Sequence, residues 1–364
     1  MTQFRLKPVP YVVDGDRVLV YRQAHERLDI ADPDGQVRAL FHHLAAPGAT
    51  IEDLAHHLRA DGHYLARTDI TEVIGQLAEL DLVGTWESEC ALPPDDRARH
   101  SSNLGFYELF SGLDRSAVSM HQRLTESHVL LLGVGGAGSV VLQALLGAGV
   151  KRVTVVDNDV VETKNLARQF CFGAAAVGQR KVVAAQRWAG QYSAGTHVDI
   201  HDERVTSARR IQQLATGCDL VVAAIDTPDD IQLLVDDACW QLGIPYVTGG
   251  MSQSTIYYWS VQPGVSPCRR CLELHRDDNL RTRDRALGAH RAIPEHVNRA
   301  NGPVVQLLGG LLGLEALRYL SGCDTPAARA TYRWFSLTHD MASGVEPWEY
   351  HPDCQHCRPD RDPT

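Results

Sequence analysis

The feature that most constrains the fold is an ordered series of motifs between His128 and Gln169. An apolar segment, H-V-L-L-L, runs into the glycine-rich turn G-V-G-G-A-G-S, which contributes Gly133, Gly135, Gly136 and Gly138. A strand, a glycine turn and a helix in that order are typical of phosphate sites, because small residues let backbone N–H groups and the positive end of the helix approach a phosphate. The series therefore predicts a nucleotide site in an α/β sheet.

Polar side chains follow this turn at the mouth of the same crevice. Asp157 ends the next apolar segment, where dinucleotide-binding units place the carboxylate that binds a ribose. Asp159 lies two residues further on, and Asn165, Arg168 and Gln169 form the sequence N-x-x-R-Q. Polar and cationic groups in this position suit contacts with ATP phosphates better than hydride transfer. ATP is therefore the predicted ligand, and an NAD oxidoreductase is the more distant alternative.

Two further charged residues are candidates for the same site. Lys181 begins a predicted helix that points back towards the crevice, so it either reaches a phosphate or is a solvated charge in the first helical turn. Asp226 ends the apolar segment D-L-V-V-A-A-I-D, where α/β enzymes place functional acids. Its carboxylate either holds Mg²⁺ against triphosphate oxygens or caps the next helix.

Four cysteines near the C-terminus form a more specific pattern. Cys268 and Cys271 make one C-x-x-C pair, Cys354 and Cys357 make another, and 82 residues separate the two pairs. Together they offer four thiolates to one tetrahedral Zn²⁺, which would tie the C-terminal segment to the sheet; redox chemistry is the alternative. The remaining cysteines are interpreted as packing residues: Cys90, Cys171, Cys218, Cys239 and Cys323.

Composition excludes several classes of function. The 364 residues carry 35 Lys and Arg against 45 Asp and Glu, and the net charge of −10 argues against a general nucleic-acid binder. No stretch approaches about 20 uncharged apolar residues, the length that a membrane span needs. The N-terminus also lacks the apolar core of a signal peptide. We therefore expect a cytoplasmic protein without a membrane partner.

Residues 1–90 are predicted to form a small winged-helix-like (α+β) domain. Residues 11–13 and 17–21 are typical of a β-hairpin, three amphipathic helices follow, and residues 82–86 are typical of a closing strand. Such modules often bind DNA, but this segment carries eight Lys and Arg against 15 Asp and Glu, which would repel a duplex. The alternatives are a peptide-binding module that uses a hairpin edge, or a structural lid.

Residues 91–100 are the predicted linker, and residues 101–364 are the predicted nucleotide-binding domain with its zinc site. Apolar strands expected at 129–132, 153–156, 220–225 and 246–248 alternate with helices at 139–146, 181–191 and 231–242. This alternation predicts a doubly wound, Rossmann-like α/β sheet with its ligand at the carboxyl ends of the strands. Residues 276–299 contain six arginines, in either a solvated loop or a lid that guides an acidic or peptidic substrate.

Residues 99–360 resemble the ThiF/MoeB/HesA family, the ubiquitin-activating-enzyme-like adenylyltransferases. The resemblance rests on G-V-G-G-A-G-S, V-V-D-N-D-V-V-E-T-K-N-L-A-R-Q, V-G-Q-R-K, I-P-Y-V-T-G-G, the segment ending in Asp226 and both C-x-x-C pairs. It implies a homodimer in which a substrate carboxylate attacks the α-phosphate of Mg-ATP, giving an acyl-adenylate and pyrophosphate. It also implies that Asp157 holds the ribose and Asp226 binds Mg²⁺. Asn165, Arg168 and Lys181 would then contact the phosphates.

The chain departs from the family pattern at two places. The family carries R-Y-x-R before the first strand, and its second arginine reaches into the partner subunit's site. Here Arg99 matches the first arginine, which makes it a candidate nucleotide contact, but Ser102 replaces the second. Members that relay a thioester carry a cysteine after the first C-x-x-C pair, whereas no cysteine lies between Cys271 and Cys323. The first departure argues against the cross-subunit contact, and the second favours release or direct capture of the adenylate over a thioester relay.

The N-terminal segment L-K-P-V-P-Y-V-V-D-G-D-R-V-L-V and the three helices after it resemble the RiPP recognition element, a peptide clamp. That element binds the leaders of ribosomally made, post-translationally modified peptides. A clamp joined to an adenylating domain is the arrangement of MccB- and PaaA-like enzymes, and it implies activation of a carboxyl or amide group of a precursor peptide. The alternatives are a catalytically silent leader-binding partner and an adenylyltransferase of a sulfur-carrier protein.

Overall fold

The computed structural model describes residues 1–23, 26–45, 48–283, 300–338 and 340–357. They divide into two compact units, Met1–Arg123 and Leu124–Thr364. The first unit is small and mixed α+β, and the second contains one large sheet. The predicted domain limits, at 90 and 101, stay predictions.

The first unit contains two small antiparallel sheets. Strand β1 (Gln3–Leu6) pairs with β5 (Val83–Trp86). The other sheet has the order β2-β3-β4 and consists of β2 (Tyr11–Asp14), β3 (Arg17–Gln23) and β4 (Glu26–Ala31). The predicted hairpin and closing strand are therefore confirmed, and β1 and β4 are additional strands.

Three helices pack on these strands: α1 (Gln36–Ala45), α2 (Ile51–Ala60) and α3 (Arg67–Glu79). A capping box begins α2, because Thr50 Oγ1 accepts the Asp53 amide at 3.1 Å and the Asp53 carboxylate accepts the Thr50 amide at 2.9 Å. Apolar side chains from all three helices form one core with β3 and β5. The elements of the predicted winged-helix-like module are all present.

Two further helices complete the description of this region, α4 (Pro94–Glu108) and α5 (Ala117–Glu126). The segment predicted as a linker, 91–100, contains the first turns of α4. Pro94 occupies the first helical position, where a missing N–H costs nothing. Because most residues of α4 are polar, a search for apolar periodicity does not detect this helix.

The second unit is built on one eight-stranded sheet of order β13-β12-β11-β10-β9-β6-β7-β8. Its strands are β6 (His128–Leu132), β7 (Arg152–Val156), β8 (His197–His201), β9 (Leu220–Ala223), β10 (Tyr246–Ser252), β11 (Thr255–Val261), β12 (Thr331–Ser336) and β13 (Ser343–Pro347). Strands β8, β7, β6, β9 and β10 are parallel, and β11 to β13 are antiparallel. The strand order reverses between β6 and β9, where doubly wound sheets bind their ligands.

Helices connect these strands and confirm the doubly wound α/β prediction. They are α6 (Gly136–Ala148), α7 (Lys181–Tyr192), α8 (Ala208–Ala215), α9 (Ile231–Leu242), α10 (Arg269–Arg283) and α11 (Gly302–Ser321). The arginine-rich stretch was predicted as a loop or lid, but its first part, 276–283, belongs to α10 because the helix continues from the first C-x-x-C pair. The rest of that stretch, 284–299, lies outside the described residues.

Helix α11 is long and apolar enough to cross a membrane, and it is the one such helix in the described parts of the chain. Half of its apolar window is buried within the unit. A Cβ on Gly309 would lie 2.5 Å from Val140 of α6, so the two helices pack closely. Glu315 is fully buried and accepts hydrogen bonds from the Ser260 hydroxyl and the Ala328 amide, both at 2.8 Å. These contacts identify α11 as a helix of the protein core.

Candidate functional site

The glycine turn lies between β6 and α6, at the point where the strand order reverses. The Gly133 amide donates to the Val156 carbonyl at 2.8 Å, which joins the turn to the end of β7. Gly133 has φ +86°, a conformation that favours glycine. The amino end of α6 therefore faces the crevice at the carboxyl ends of β6, β7 and β9, as the sequence predicts.

The four predicted glycines divide into two groups. A Cβ would lie 2.2 Å from Ile225 if added to Gly133, 2.7 Å from Val305 if added to Gly136 and 2.0 Å from the Gly133 carbonyl if added to Gly138. Packing of the chain on itself therefore requires these three glycines. At Gly135 the nearest atom is the Gln169 side-chain nitrogen at 3.8 Å. Gly135 alone opens onto free space, where a ligand phosphate has room to approach the backbone.

Asp157 holds the turn in place through backbone amides. One carboxylate oxygen accepts the Val134 amide at 2.9 Å, and the other accepts the Asp159 amide at 2.8 Å. Each oxygen has a further lone pair, so the carboxylate keeps acceptor capacity for ribose hydroxyls. The position of Asp157 at the end of β7 matches the predicted ribose contact.

Lys181 is not a solvated charge. It is 5% exposed, and its Nζ donates to the Asp159 carboxylate at 2.7 Å. The Lys181 amide also donates to the Asp159 carbonyl at 2.9 Å, which fixes the loop after β7 against the start of α7. The lysine therefore carries a positioned positive charge at the crevice, and this excludes the alternative of a free surface lysine.

Asn165 lies in the short 3₁₀ segment Thr163–Ala167 after β7, and Gln169 lies two residues beyond that segment. Both residues are buried. The Asn165 side chain accepts the Glu162 amide at 2.9 Å. The Gln169 Oε1 atom is buried and has no hydrogen-bond partner among the described residues. Arg168 makes one long contact, 3.4 Å to the Lys164 carbonyl, and no described carboxylate pairs with it. The orphaned oxygen and the unneutralised guanidinium both fit a site built for a ligand.

Asp226 lies in the loop after β9, which ends at Ala223 rather than at the predicted residue 225. Its side chain is exposed, and the N-cap position of α9 is occupied by Asp230, so Asp226 is not the cap of that helix. A solvated carboxylate at the carboxyl end of β9 suits a hard cation such as Mg²⁺, which binds through few carboxylates and keeps several waters. The residue therefore fits the predicted magnesium role.

Arg99 and Ser102 lie on α4 in the first unit, and both are exposed. The predicted nucleotide contact of Arg99 stays a prediction. Within the second unit the predicted residues do come together: the glycine turn, Asp157 with Asp159 and Lys181, and Asp226 at the end of the neighbouring strand β9.

An ion pair that the sequence prediction missed supports the same loop. Arg180 precedes Lys181 and binds the Asp202 carboxylate with two nitrogens, one of them at 2.5 Å. Hydrogen bonding to Asp202 raises the pKa of Arg180. Asp202 directly follows β8, so the pair joins the ends of two neighbouring elements. A charge at the end of a strand was the available signal, but β8 itself was not predicted.

The two C-x-x-C pairs meet in one cluster. The Sγ–Sγ distances are 3.8 Å within the first pair, 3.7 Å within the second, 3.5 Å between Cys268 and Cys354 and 3.3 Å between Cys271 and Cys357. Four sulfurs about 2.3 Å from one tetrahedral Zn²⁺ lie about 3.8 Å apart, so the cluster fits this metal.

Groups around the cysteines attach the cluster to the sheet. The buried carboxylate of Asp236 on α9 accepts the Arg269 amide at 3.1 Å and the Tyr246 hydroxyl at 2.9 Å. The Trp348 indole donates to the Cys268 carbonyl at 3.1 Å. Of the five other cysteines, four are buried as predicted. The packing interpretation is wrong for Cys90, which is exposed beside Arg97 because it lies in a short surface 3₁₀ turn.

Curated proteins with similar sequences are adenylyltransferases. The adenylyltransferase and sulfurtransferase MOCS3 of Sus scrofa is 30% identical over 74% of this chain and 55% of its own length. The sulfur carrier protein adenylyltransferase of Thermus thermophilus is 32% identical over 57% of this chain and 74% of its own length. The chain thus spans about half the length of MOCS3.

Solved structures with the same fold extend over almost the whole chain. Escherichia coli MccB, solved with AMPCPP and MccA, has a TM-score of 0.73 and 16% identity, and the match covers 98% of this chain and 99% of MccB. PaaA has a TM-score of 0.68 and 19% identity, covering 93% of this chain and 98% of PaaA. The ThiF family model matches residues 108–356, which include the glycine turn, the Asp157 loop and three of the four clustered cysteines, Cys268, Cys271 and Cys354. This chain therefore belongs to the ThiF family.

Proposed function

We propose that this protein is an ATP-dependent adenylyltransferase that activates a carboxyl or amide group of a ribosomally made precursor peptide. The observation that carries the first part is the crevice at the reversal of strand order. There Gly135 opens onto free space, Lys181 is held by Asp159 and the Gln169 oxygen lacks a partner. Nothing in that arrangement is a protein nucleophile, so its chemistry is positioning and charge neutralisation.

The reaction assigned to this crevice is nucleotidyl transfer. A substrate oxygen attacks the α-phosphorus of ATP, the bond from that phosphorus to the bridging oxygen breaks, and pyrophosphate leaves with the electron pair. Asp157 would hold the ribose, and Arg168 and Lys181 would neutralise the phosphates. Asp226 would hold Mg²⁺, whose charge would stabilise the leaving pyrophosphate when bound.

The peptide part of the proposal is supported by the first unit. It has the three-stranded sheet β2-β3-β4, whose outer strands β2 and β4 have no further partner strand among the described residues. An extended peptide binds to such an edge by continuing the backbone ladder. MccB, which shares the fold over nearly its whole length, has been solved in complex with the peptide MccA.

A second candidate function is adenylation of a sulfur-carrier protein. It is favoured by two curated relatives, from Thermus thermophilus and Escherichia coli, which are named as adenylyltransferases of sulfur carriers. The two candidates share the ATP crevice and differ in what delivers the carboxylate. A sulfur carrier is a folded protein, whereas a precursor peptide needs an edge or groove to bind its leader.

The test is exchange of labelled pyrophosphate into ATP by the full-length protein. We expect exchange with a peptide encoded by a short reading frame beside its gene, and none with sulfur-carrier proteins. Asp226→Asn and Lys181→Met should lower the rate by about 10²–10³-fold, the usual effect of removing a charge-stabilising group. Arg187→Ala is the matched control, because Arg187 lies exposed on α7 with Lys181 and donates a hydrogen bond to the Gln179 side chain at 2.9 Å.

The outcomes separate the candidates. Exchange driven by a sulfur carrier and by no peptide would replace the first candidate with the second. Peptide binding without exchange would identify a catalytically silent leader-binding partner. Equal loss in the Arg187 control would show that the variants act through folding rather than chemistry.

A further inference from the structure

Three stacked aromatic side chains line one face of the antiparallel half of the large sheet. We define the platform as Tyr257 and Trp259 of β11 with Tyr332 of β12. Their ring centroids lie 5.3 to 5.9 Å apart and their planes deviate by 14 to 24°. The alternation of side chains along each strand puts all three on the same face. Tyr257 and Tyr332 are only partly buried and form the accessible part of the platform, whereas Trp259 is 1% exposed and belongs to the hydrophobic core.

Two arginines of α10 lie over the platform. The guanidinium carbon of Arg276 is 4.7 Å from the Tyr332 ring centre, and that of Arg269 is 5.2 Å from the Trp259 ring centre. Both distances are within the range of cation–π contacts. The platform therefore carries two positive charges on a chain whose net charge is −10.

These charges are incompletely neutralised. The Arg269 side chain is 8% exposed, and one nitrogen binds Glu273 at 2.7 Å. Its Nε and Nη1 atoms, and the Trp259 indole nitrogen, are buried without a hydrogen-bond partner in the described chain. No described carboxylate pairs with Arg276. Buried donors without acceptors are costly, so these three N–H groups are available to an acceptor that is not part of the described chain.

The platform lies beside the nucleotide crevice. The Tyr257 ring covers Gly250, near the carboxyl end of β10, where a Cβ would lie 2.9 Å from the tyrosine oxygen. Burial raises the pKa of Tyr257, and the nearby Asp226 carboxylate adds to the shift. Strands β9 and β10 are parallel, so Asp226 and Gly250 lie at the same edge of the sheet.

We propose that the platform, with Arg269 and Arg276, binds a carboxylate of the substrate and positions the neighbouring group for adenylation. The guanidinium of Arg276 pairs with the carboxylate while the aromatic rings cover the apolar part of the same residue. This inference rests on the peptide substrate of the proposed function, and it narrows that substrate to a peptide with an acidic group next to the reacting one. A phosphate group is also an anion, so the test must distinguish a carboxylate ligand from a phosphate ligand.

The test uses tryptophan fluorescence of the full-length protein, titrated with N-acetyl-Ala-Asp, which has two carboxylates and no phosphate. We expect a saturable change that Trp259→Phe removes, and no change with the neutral N-acetyl-Ala-Asn amide. Arg276→Gln should weaken the affinity at least about tenfold, the usual effect of losing a charge-assisted hydrogen bond, without lowering the melting temperature. Arg333→Gln is the control, because that arginine lies next to Tyr332 but donates to the Ala327 carbonyl.

Equal binding of the neutral dipeptide, or unchanged affinity in Arg276→Gln, would overturn the proposal. An Arg276-dependent signal from pyrophosphate without one from the dipeptide would also overturn it, by showing a phosphate site. If dipeptide binding fails while peptide-dependent exchange proceeds, the platform assignment alone is wrong. If the dipeptide binds normally and exchange never occurs, the proposed function fails instead.

Discussion

At the scale of single residues, the structure distinguishes the glycines that the packing of the turn requires from the glycine that a bound ligand would require. Gly138 is required by the packing of the chain, because a Cβ there would lie 2.0 Å from the Gly133 carbonyl. Gly135 is required by the proposed ligand, since a Cβ there would meet only the end of Gln169, at 3.8 Å. The motif predicts all four glycines but does not say which of them serve the fold.

We expect Gly135→Ala and Gly138→Ala to fail in different ways. Gly138→Ala should destabilise the fold by about 1–3 kcal/mol or more, because overpacking displaces the backbone of the turn. Gly135→Ala should leave the melting temperature within a few degrees of wild type and weaken ATP binding by at least about tenfold. Calorimetric titration with ATP and thermal unfolding measure the two effects.

Gly190→Ala on α7 is the control for this pair. No atom lies within 4 Å of a Cβ built on Gly190, so alanine should slightly stabilise the helix and leave ATP binding unchanged. Normal ATP affinity in Gly135→Ala would contradict the assignment of the turn as the phosphate site.

The type of a functional residue was predictable at positions of the fold that usually serve one function. The carboxylates after β7 and β9 follow from the rule that α/β sheets bind ligands at strand ends. The burial of Lys181 was not predictable, because it depends on the Asp159 carboxylate that shields it. The contacts of Arg269 and Arg276 with the aromatic platform were also not predictable, since α10 is far in sequence from β12.

At the scale of elements, the cysteine cluster connects segments that are distant in the chain. The first pair lies where β11 leads into α10, and the second follows β13. No regular element holds the second pair among the described residues. A metal would therefore hold the C-terminal segment against the sheet.

We expect the purified protein to contain about one zinc ion per chain, and Cys354→Ser to lose it. Loss of a structural metal is among the most destabilising single changes, so the melting temperature should fall by roughly 10 °C. Elemental analysis and thermal unfolding provide the measurements. Cys90→Ser is the control, because that exposed cysteine lies outside the cluster and should change neither quantity. Full zinc retention in Cys354→Ser would contradict a four-cysteine site.

The outer strands of the three-stranded sheet offer a second test at this scale. Asp14 pairs with Arg17 at the turn between β2 and β3, and the Tyr21 amide donates to the Pro10 carbonyl at 2.9 Å. These contacts fix which residues of the two strands exchange hydrogen bonds. The alternation of an antiparallel ladder then leaves the Val13 amide facing outward from β2. The bond from the Asp32 amide to the Asp16 carbonyl likewise leaves the Asp29 amide facing outward from β4.

We expect either Val13→Pro or Asp29→Pro to weaken leader-peptide binding at least about tenfold, because proline removes the outward amide without breaking a ladder bond. Fluorescence anisotropy of a labelled leader peptide measures the affinity. Val13→Ala and Asp29→Ala keep the amides and should bind normally. Unchanged affinity in both proline variants would rule out a leader that adds a strand to this sheet.

Elements were predictable where apolar residues follow a regular period. Helix α9 begins and ends at the predicted residues, and the buried strands β6 and β7 are continuous apolar runs. Strands β11 to β13 were missed because antiparallel strands with one covered face mix aromatic and polar residues. The alternation of tyrosine and tryptophan in β11 and β12 was the available signal.

At the scale of the whole molecule, the family resemblance implies a homodimer with a cross-subunit arginine. This chain has Ser102 at that position, exposed on α4. An exposed site accepts a longer side chain without disturbing the core. A restored arginine would therefore report on the subunit contact rather than on folding.

We expect the protein to elute with about twice its chain mass of 40.1 kDa, and Ser102→Arg to raise the rate of pyrophosphate exchange about five- to tenfold. The physical reason is an additional charge-assisted hydrogen bond to the phosphates, supplied by the partner subunit. Light scattering after size exclusion gives the mass, and labelled exchange gives the rate. Ser101→Arg is the matched control, because it adds the same charge about 100° away around the same exposed helix. A monomeric protein, or an equal gain from both arginines, would show that the site works without the family's cross-subunit contact.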